Sequence, residues 1–441
     1  MRFLAENLHD AAAPSNLPWL NPAALKEVVN TGGANIVRGL RNLVGDMAVA
    51  PRVPSMVAKE AFSVGEDLAV TPGAAVLRTP VFELIQYTPT TSEVSTTPLL
   101  LVPPTINKFS VLDLAPGRSL VEHLLASGQQ VFVMSWRNPG VAEAEWGLDT
   151  YVEAVLTALD TTREICQAEQ ALLFGGCSGG IISALAAAYL AGTGRQEELA
   201  GLTLAVTVLD QSDAGLAGAM MDRGRAAAAV ARSTRMGYLD GRSLAEVFAW
   251  LRPNDLIWNY WVNNYLLGKK PPAFDILYWN ADTTRMPAHL HRDFLETALE
   301  NKLVTAGGAT ALGVPVDLSQ VTVDAYVIGG VADHITPWQS CYRTTQLLGG
   351  TTRFVLSTSG HIAALVNPTT NAKSSFQTAK DNPADPLAWV SSADTRQGSW
   401  WADYVAWLGD RSAAPKPAPE QPGRGRFAPI ASAPGTYVLG Q

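Results

Sequence analysis

Twenty residues, Ala171 to Leu190, constrain this chain more than any other stretch. Ala171-Leu172-Leu173-Phe174 has the unbroken apolar character of a strand buried on both faces. Gly175-Gly176-Cys177-Ser178-Gly179-Gly180 follows, and then an Ala/Leu/Ile run expected to be a helix. A strand that turns into a helix within so few residues forces the central residue into a strained backbone conformation. It also brings strand and helix so close that the flanking side chains must be nearly absent, which the glycines satisfy. The central residue then lies at a helix N-terminus, where free N–H groups and the macrodipole favour negative charge. The same six residues could also enclose a buried structural cysteine, so the turn alone leaves the role of Cys177 open.

The flanking pattern gives the turn a context. Apolar runs at 81–87, 99–102, 130–135 and 202–209 read as strands, and 117–127 and 149–167 read as helices between them. Such alternation predicts a mostly parallel, doubly wound sheet with right-handed crossovers. Strand, glycine turn and helix then correspond to the nucleophile elbow of α/β-hydrolases, written G-x-S-x-G, here with Cys177 at its centre. Five segments are expected: an N-terminal helical region 1–80, the first part of an α/β-hydrolase core 81–210, a cap or lid 211–310, the second part of the core 311–411, and a flexible tail 412–441. The cap is inserted after the strand ending at Asp210 and is rich in aromatics such as Trp250, Trp258, Trp261 and Trp279. The tail is assigned from its Pro, Gly and Ala content. Beyond the cap, the sheet should resume at 321–328 and 353–356, with helices at 337–348 and 400–409.

Bulk properties exclude some classes. A net charge of −8 argues against a nucleic-acid groove, which needs clustered Lys and Arg. Three cysteines in 441 residues make no disulfide framework. The first ten residues lack the apolar core of a secretory leader, and the longest apolar run is too short to span a bilayer. A cytoplasmic protein with no transmembrane segment is expected, with no metal and no cofactor of its own.

A cysteine nucleophile needs a base, and the base needs a group to orient it. In this fold the chain order is nucleophile, acid, histidine, with the last two on loops after late strands. His361 follows the short strand at 353–356 in Ser359-Gly360-His361, and Asp333 follows the strand at 321–328. Cys177, Asp333 and His361 therefore form the candidate triad. His334, beside Asp333, is the rival base or an auxiliary group, and Asp210, which ends a strand, is the rival acid. The oxyanion hole should use the N–H of Ser178 and one N–H from the loop after 99–102. Thr105 or Ile106 would supply it, because Pro103 and Pro104 have none.

Several blocks go beyond a generic hydrolase: Val102-Pro103-Pro104-Thr105-Ile106-Asn107-Lys108-Phe109, Ser135-Trp136-Arg137-Asn138-Pro139, the elbow itself, Tyr278-Trp279-Asn280 with Asp282, Asp333-His334-Ile335-Thr336-Pro337-Trp338, and Ser359-Gly360-His361-Ile362. Together they resemble polyhydroxyalkanoate (PHA) synthases. The resemblance implies a polymerase that extends a polyester from (R)-3-hydroxyacyl-CoA and releases coenzyme A, with Cys177, Asp333 and His361 as nucleophile, acid and base. It also implies a homodimer associated with PHA granules. The wording of Asp333–Trp338 and of Leu347-Leu348-Gly349-Gly350 is closer to the synthases that favour medium-length side chains. A cysteine-dependent esterase or depolymerase on the same fold is the alternative.

Overall fold

Eleven strands form one sheet: β1 (Gly73–Arg78), β2 (Phe82–Tyr87), β3 (Leu99–Val102), β4 (Val131–Trp136), β5 (Ala171–Gly176), β6 (Leu199–Ala205), β7 (Ala325–Gly330), β8 (Thr352–Ser357), β9 (Ser375–Thr378), β10 (Asp394–Gln397) and β11 (Ala431–Ser432). The computed structural model describes residues 2–48, 50–58, 60–213 and 222–440. It divides into two units, Val64–Leu239 with Thr284–Gln441, and Met1–Ser63 with Asp240–Thr283.

In the larger unit the strand order is β10-β9-β8-β7-β6-β5-β3-β4-β2-β1-β11. The six central strands, β8 to β4 in that order, are parallel. Antiparallel strands extend both edges. The centre is parallel because its strands are joined by helices long enough to cross over, Leu120–Ala126, Leu148–Cys166 and Ser178–Gly192. Every residue of β3, β4 and β5 is buried, as their unbroken apolar runs require. Each fully buried Leu or Phe there contributes about 1.5–3 kcal/mol. The chain passes from β3 to β4 on one side and returns to β5 on the other, so the sheet reverses its winding between β3 and β5. A crevice outside the carboxyl ends of strands at such a reversal is where open α/β sheets carry their sites.

Several expectations shift. The segment expected as N-terminal and helical to residue 80 already contributes β1 to the sheet. β6 ends at Ala205 and not at 209, because Val206 takes φ 46° and turns the chain away. β7 begins at Ala325, because Val321 is held in a turn by the N–H of Gly349 at 2.9 Å. The tail expected to be flexible is instead fastened to the sheet. β11 pairs with β1, and the fully buried Glu83 accepts the N–H groups of Thr436 and Tyr437 at 2.8 and 2.9 Å. Arg78 pairs with the same carboxylate at 2.6 Å, so the buried charge is compensated. Hydropathy could not show this, since the order comes from backbone bonds to a carboxylate.

The segment expected as a cap divides between the units. Residues 240–283 group with the N-terminal region, while 222–239 and 284 onward group with the sheet. Residues 214–221 of that segment lie outside the described residues. Within the smaller unit, helix Ala34–Ala48 packs against the preceding helix Pro22–Thr31 and against the π-helical turn Trp261–Leu266. Helix Ala34–Ala48 is inverted relative to an ordinary amphipathic helix. Its polar residues face inward: Asn35 donates to Leu266 O at 2.9 Å, Asn42 to Asn264 O at 3.0 Å, and Asp46 accepts from the Tyr265 hydroxyl at 2.7 Å. Its apolar residues Val37, Leu40 and Val44 are exposed, as is Val29 on the preceding helix.

Candidate active site

Cys177 stands between β5 and helix Ser178–Gly192 with φ 51° and ψ −121°. A side chain in this region costs about 1–3 kcal/mol of backbone strain, which the surroundings must impose. They do so through the Cys177 N–H, which donates to Ala205 O at 2.9 Å, and the Cys177 carbonyl, which accepts from Gly180 N at 3.0 Å and Thr207 Oγ1 at 3.3 Å. The glycines are required by space. A Cβ on Gly179 would lie 2.4 Å from Pro103 O, and one on Gly180 would lie 2.0 Å from Thr207 Oγ1. Cys177 is partly exposed, whereas Cys166 and Cys341 are buried. Burial pushes both of those thiols up, away from the reactive thiolate form.

β7 delivers Asp333 and β8 delivers His361, which opens the short helix His361–Leu365. The two meet: His361 Nδ1 lies 2.7 Å from Asp333 Oδ2. Both side chains are buried. Asp333 Oδ1 accepts the N–H groups of Ile335 and Thr336, each at 2.9 Å, and Oδ2 also accepts the Thr336 hydroxyl at 2.5 Å. Thr336 Oγ1 lies 3.1 Å from His361 Nδ1 as well. The residue pattern did not single out Thr336. Its signal was present, a hydroxyl three residues after an Asp in a loop, where a side-chain-capped turn is common.

Electrostatics follow from this arrangement. Burial opposes ionisation of Asp333, but His361 and the Thr336 bonds outweigh it and hold the carboxyl below its ordinary range. Burial likewise opposes protonation of His361, yet the Asp333 charge and Cys177 outweigh it and raise the imidazolium to about 10. With Nδ1 committed to Asp333, Nε2 is the nitrogen left for the thiol. The sign of the pH dependence is then fixed. The raised His361 contributes stability that is full below its unfolded value of 6.5 and is lost as pH rises toward about 10. The lowered Asp333 contributes stability that is full above 3.8 and is lost as pH falls through its depressed value. Wild type should therefore exceed His361→Gln in melting temperature most between pH 5 and 6 and least near pH 10, as thermal melts across that range would read.

The rivals sit elsewhere. Asp210 accepts from Ser212 N and Asn301 Nδ2, each at 2.9 Å, and anchors the loop after β6. His334 is half-buried and takes no part in the 2.7 Å pair. His291 Nδ1 meets Ser233 Oγ at 2.9 Å, and His289 Nε2 meets Glu145 at 3.0 Å. The loop after β3 reaches the elbow: β3 and β5 are in register at Val102 and Gly175, and Thr105 N–H donates to Ser178 Oγ at 3.0 Å. Trp136 and Thr284 also hold this loop, and neither was a candidate from sequence. Trp136 Nε1 donates to Pro103 O at 3.0 Å. Among the described residues, no group of three or more His, Cys, Asp or Glu is placed to hold a metal ion.

A partly exposed thiol, a carboxylate-oriented imidazole and N–H groups at a helix start are the groups that acyl transfer uses. Comparison with known proteins narrows the class. Residues 1–124 match the family described as Poly-beta-hydroxybutyrate polymerase (PhaC) N-terminus, and residues 98–368 match the alpha/beta hydrolase fold. The chain is 46% identical over 437 residues to Poly(3-hydroxyalkanoate) polymerase 1 of Ectopseudomonas oleovorans, an alignment covering 99% of this chain and 78% of the relative. It is 45% identical over 437 residues to polymerase 2 of the same organism, with the same coverage. To the Poly(3-hydroxyalkanoate) polymerase subunit PhaC of Cupriavidus necator it is 40% identical over 445 residues, covering 99% of this chain and 75% of that one.

Proposed function

This chain belongs to the poly(3-hydroxyalkanoate) polymerase family, and from that premise we propose that it joins (R)-3-hydroxyacyl-CoA units into a polyester through an acyl-Cys177 intermediate, releasing coenzyme A. The observation that carries the reading is the 2.7 Å pair of His361 and Asp333, on loops after adjacent strands of the sheet that presents Cys177.

His361 Nε2 takes the thiol proton, and the Cys177 sulfur attacks the thioester carbonyl. The oxyanion that forms is held by N–H groups of the elbow and the facing loop. The C–S bond to coenzyme A then breaks, and the departing thiolate takes from His361 the proton that Cys177 gave up. In the second half, a 3-hydroxyl gives its proton to His361 and its oxygen attacks acyl-Cys177. The ester bond forms as the C–S bond breaks, and the Cys177 sulfur takes the proton back from His361. Sulfur suits this sequence because one thioester replaces another, so the acyl group stays activated for the hydroxyl. Asp333 holds the Nδ1–H tautomer and stabilises the imidazolium. The four hydrogen bonds converging on its carboxylate support this orienting role.

The finer points extend the same reading. Asp333–Trp338 and Leu347–Gly350 support a preference for medium-length side chains. The protein works in the cytoplasm as a homodimer on the polyester granule. The exposed Val37, Leu40 and Val44, spaced along one helix, support contact with an apolar polymer surface. No described helix is long and apolar enough to cross a membrane.

One experiment tests these points together. Purified protein, first sized by gel filtration, is mixed with (R)-3-hydroxyacyl-CoA of three side-chain lengths. Free thiol, insoluble polymer and protein in the polymer pellet are then followed. The expected result is thiol release matched by insoluble polyester, fastest with medium chains, and protein that pellets with it. Thiol release with only free hydroxy acid would assign a cysteine-dependent esterase instead.

A further inference from the structure

We propose that Thr284 is a positioning residue that makes the Ile106 N–H the second oxyanion donor, while the Ser178 hydroxyl removes Thr105 from that role. The inference rests on the acyl-transfer reading above.

The loop after β3 is held almost entirely through its carbonyls. Pro103 O accepts from Trp136 Nε1, Thr105 O from Thr284 Oγ1, and Ile106 O from Thr284 N, each at 3.0 Å. Thr284 is buried, so it grips the 105–106 peptide and the next carbonyl from within the protein. In a trans peptide the C=O and the following N–H point in opposite directions. A hydroxyl bound to Thr105 O therefore aims the Ile106 N–H away from Thr284. Among the described residues, no backbone carbonyl takes that N–H. The Thr105 N–H, by contrast, is taken by Ser178 Oγ at 3.0 Å, and the two hydroxyls meet at 3.1 Å. Pro103 and Pro104 have no N–H. From Pro103 to Ile106, only Ile106 keeps an N–H for a ligand. It does so on a loop packed against the helix start, since a Cβ on Gly179 would lie 2.4 Å from Pro103 O. The Ser178 N–H, in the first helical turn where no intrahelical partner exists, is the other donor.

Thr284→Val removes the hydroxyl and keeps the shape, Thr284→Ser restores the hydroxyl, and Thr284→Ala is the substitute if the valine variant fails to fold. Two rates are compared. One is single-turnover release of coenzyme A, which passes through an oxyanion. The other is alkylation of Cys177 by iodoacetamide, which does not. Thr284→Val should slow acylation about 10- to 100-fold, approaching the loss of one oxyanion donor, with KM changed less than about twofold. Its alkylation rate should match wild type, and Thr284→Ser should recover most of the acylation. Unchanged acylation in the valine or alanine variant would overturn the proposal. So would a parallel fall in both rates, which marks a residue that only supports the fold. Acylation by wild type whose Cys177 is fully alkylated would instead overturn the acyl-Cys177 reading itself.

Discussion

Cys177→Ala should stop coenzyme A release and polymer formation together, by at least about 10³-fold, because the acyl chain loses its thiol carrier. Cys166 and Cys341 cannot substitute: both are buried and both thiols are held in the protonated form by burial. Ser178 is adjacent, but its hydroxyl is engaged with Thr105. Cys177→Ser is the more informative variant. Serine fits the same turn, and His361 can still act as base. Acylation would replace a thioester with an oxyester, which is more stable and no longer driven toward the incoming hydroxyl. A slow release of coenzyme A without chain growth is expected. A thiol-reagent assay alongside polymer weight reads both quantities, and polymer made by Cys177→Ala would refute the assignment.

Asp333→Asn should lower the rate about 10²- to 10⁴-fold with little loss of fold, because it changes which His361 nitrogen carries the proton. Asp333 Oδ1 accepts two backbone N–H groups, so an asparagine would keep its oxygen there and present its NH₂ where Oδ2 now meets His361 Nδ1. Donor would then face donor unless Nδ1 gives up its proton, which moves that proton to Nε2, the atom that must accept from the thiol. His361→Gln should fall at least as far, whereas His334→Gln should lose less than about tenfold, since His334 is outside the pair. Initial rates of coenzyme A release for the three variants distinguish these outcomes. A collapse confined to His334→Gln would move the base to that residue.

The parts of the protein that could be read from sequence are those where one physical demand dominates. Buried parallel strands need unbroken apolar runs, so Leu99–Val102 and Ala171–Phe174 were plain, and the tight turn at Cys177 needs glycine on both sides. Cys177, Asp333 and His361 could be named as candidates because the fold fixes their order and places each after a strand, and the structure pairs His361 with Asp333. What could not be read depends on side-chain to backbone bonds between distant segments. Thr336 and Thr284 act through single hydroxyls, and a threonine looks the same in sequence whether or not its hydroxyl is used. The tail was misread for the same reason, since its anchor is the buried Glu83, 353 residues from Thr436. The edge strands β9 and β10 are short and largely polar, so hydropathy gave them no weight.

The central claim is that Cys177 holds the acyl chain. It is tested most directly with a saturated acyl-CoA that lacks the 3-hydroxyl, which can acylate the enzyme but cannot extend or accept a chain. Intact-mass measurement followed by peptide mapping should find one acyl group per chain, on the peptide that contains Cys177, and none in Cys177→Ala. An acyl group on Cys166, Cys341 or Ser178, or enzyme that makes polymer yet never carries the label, would contradict it.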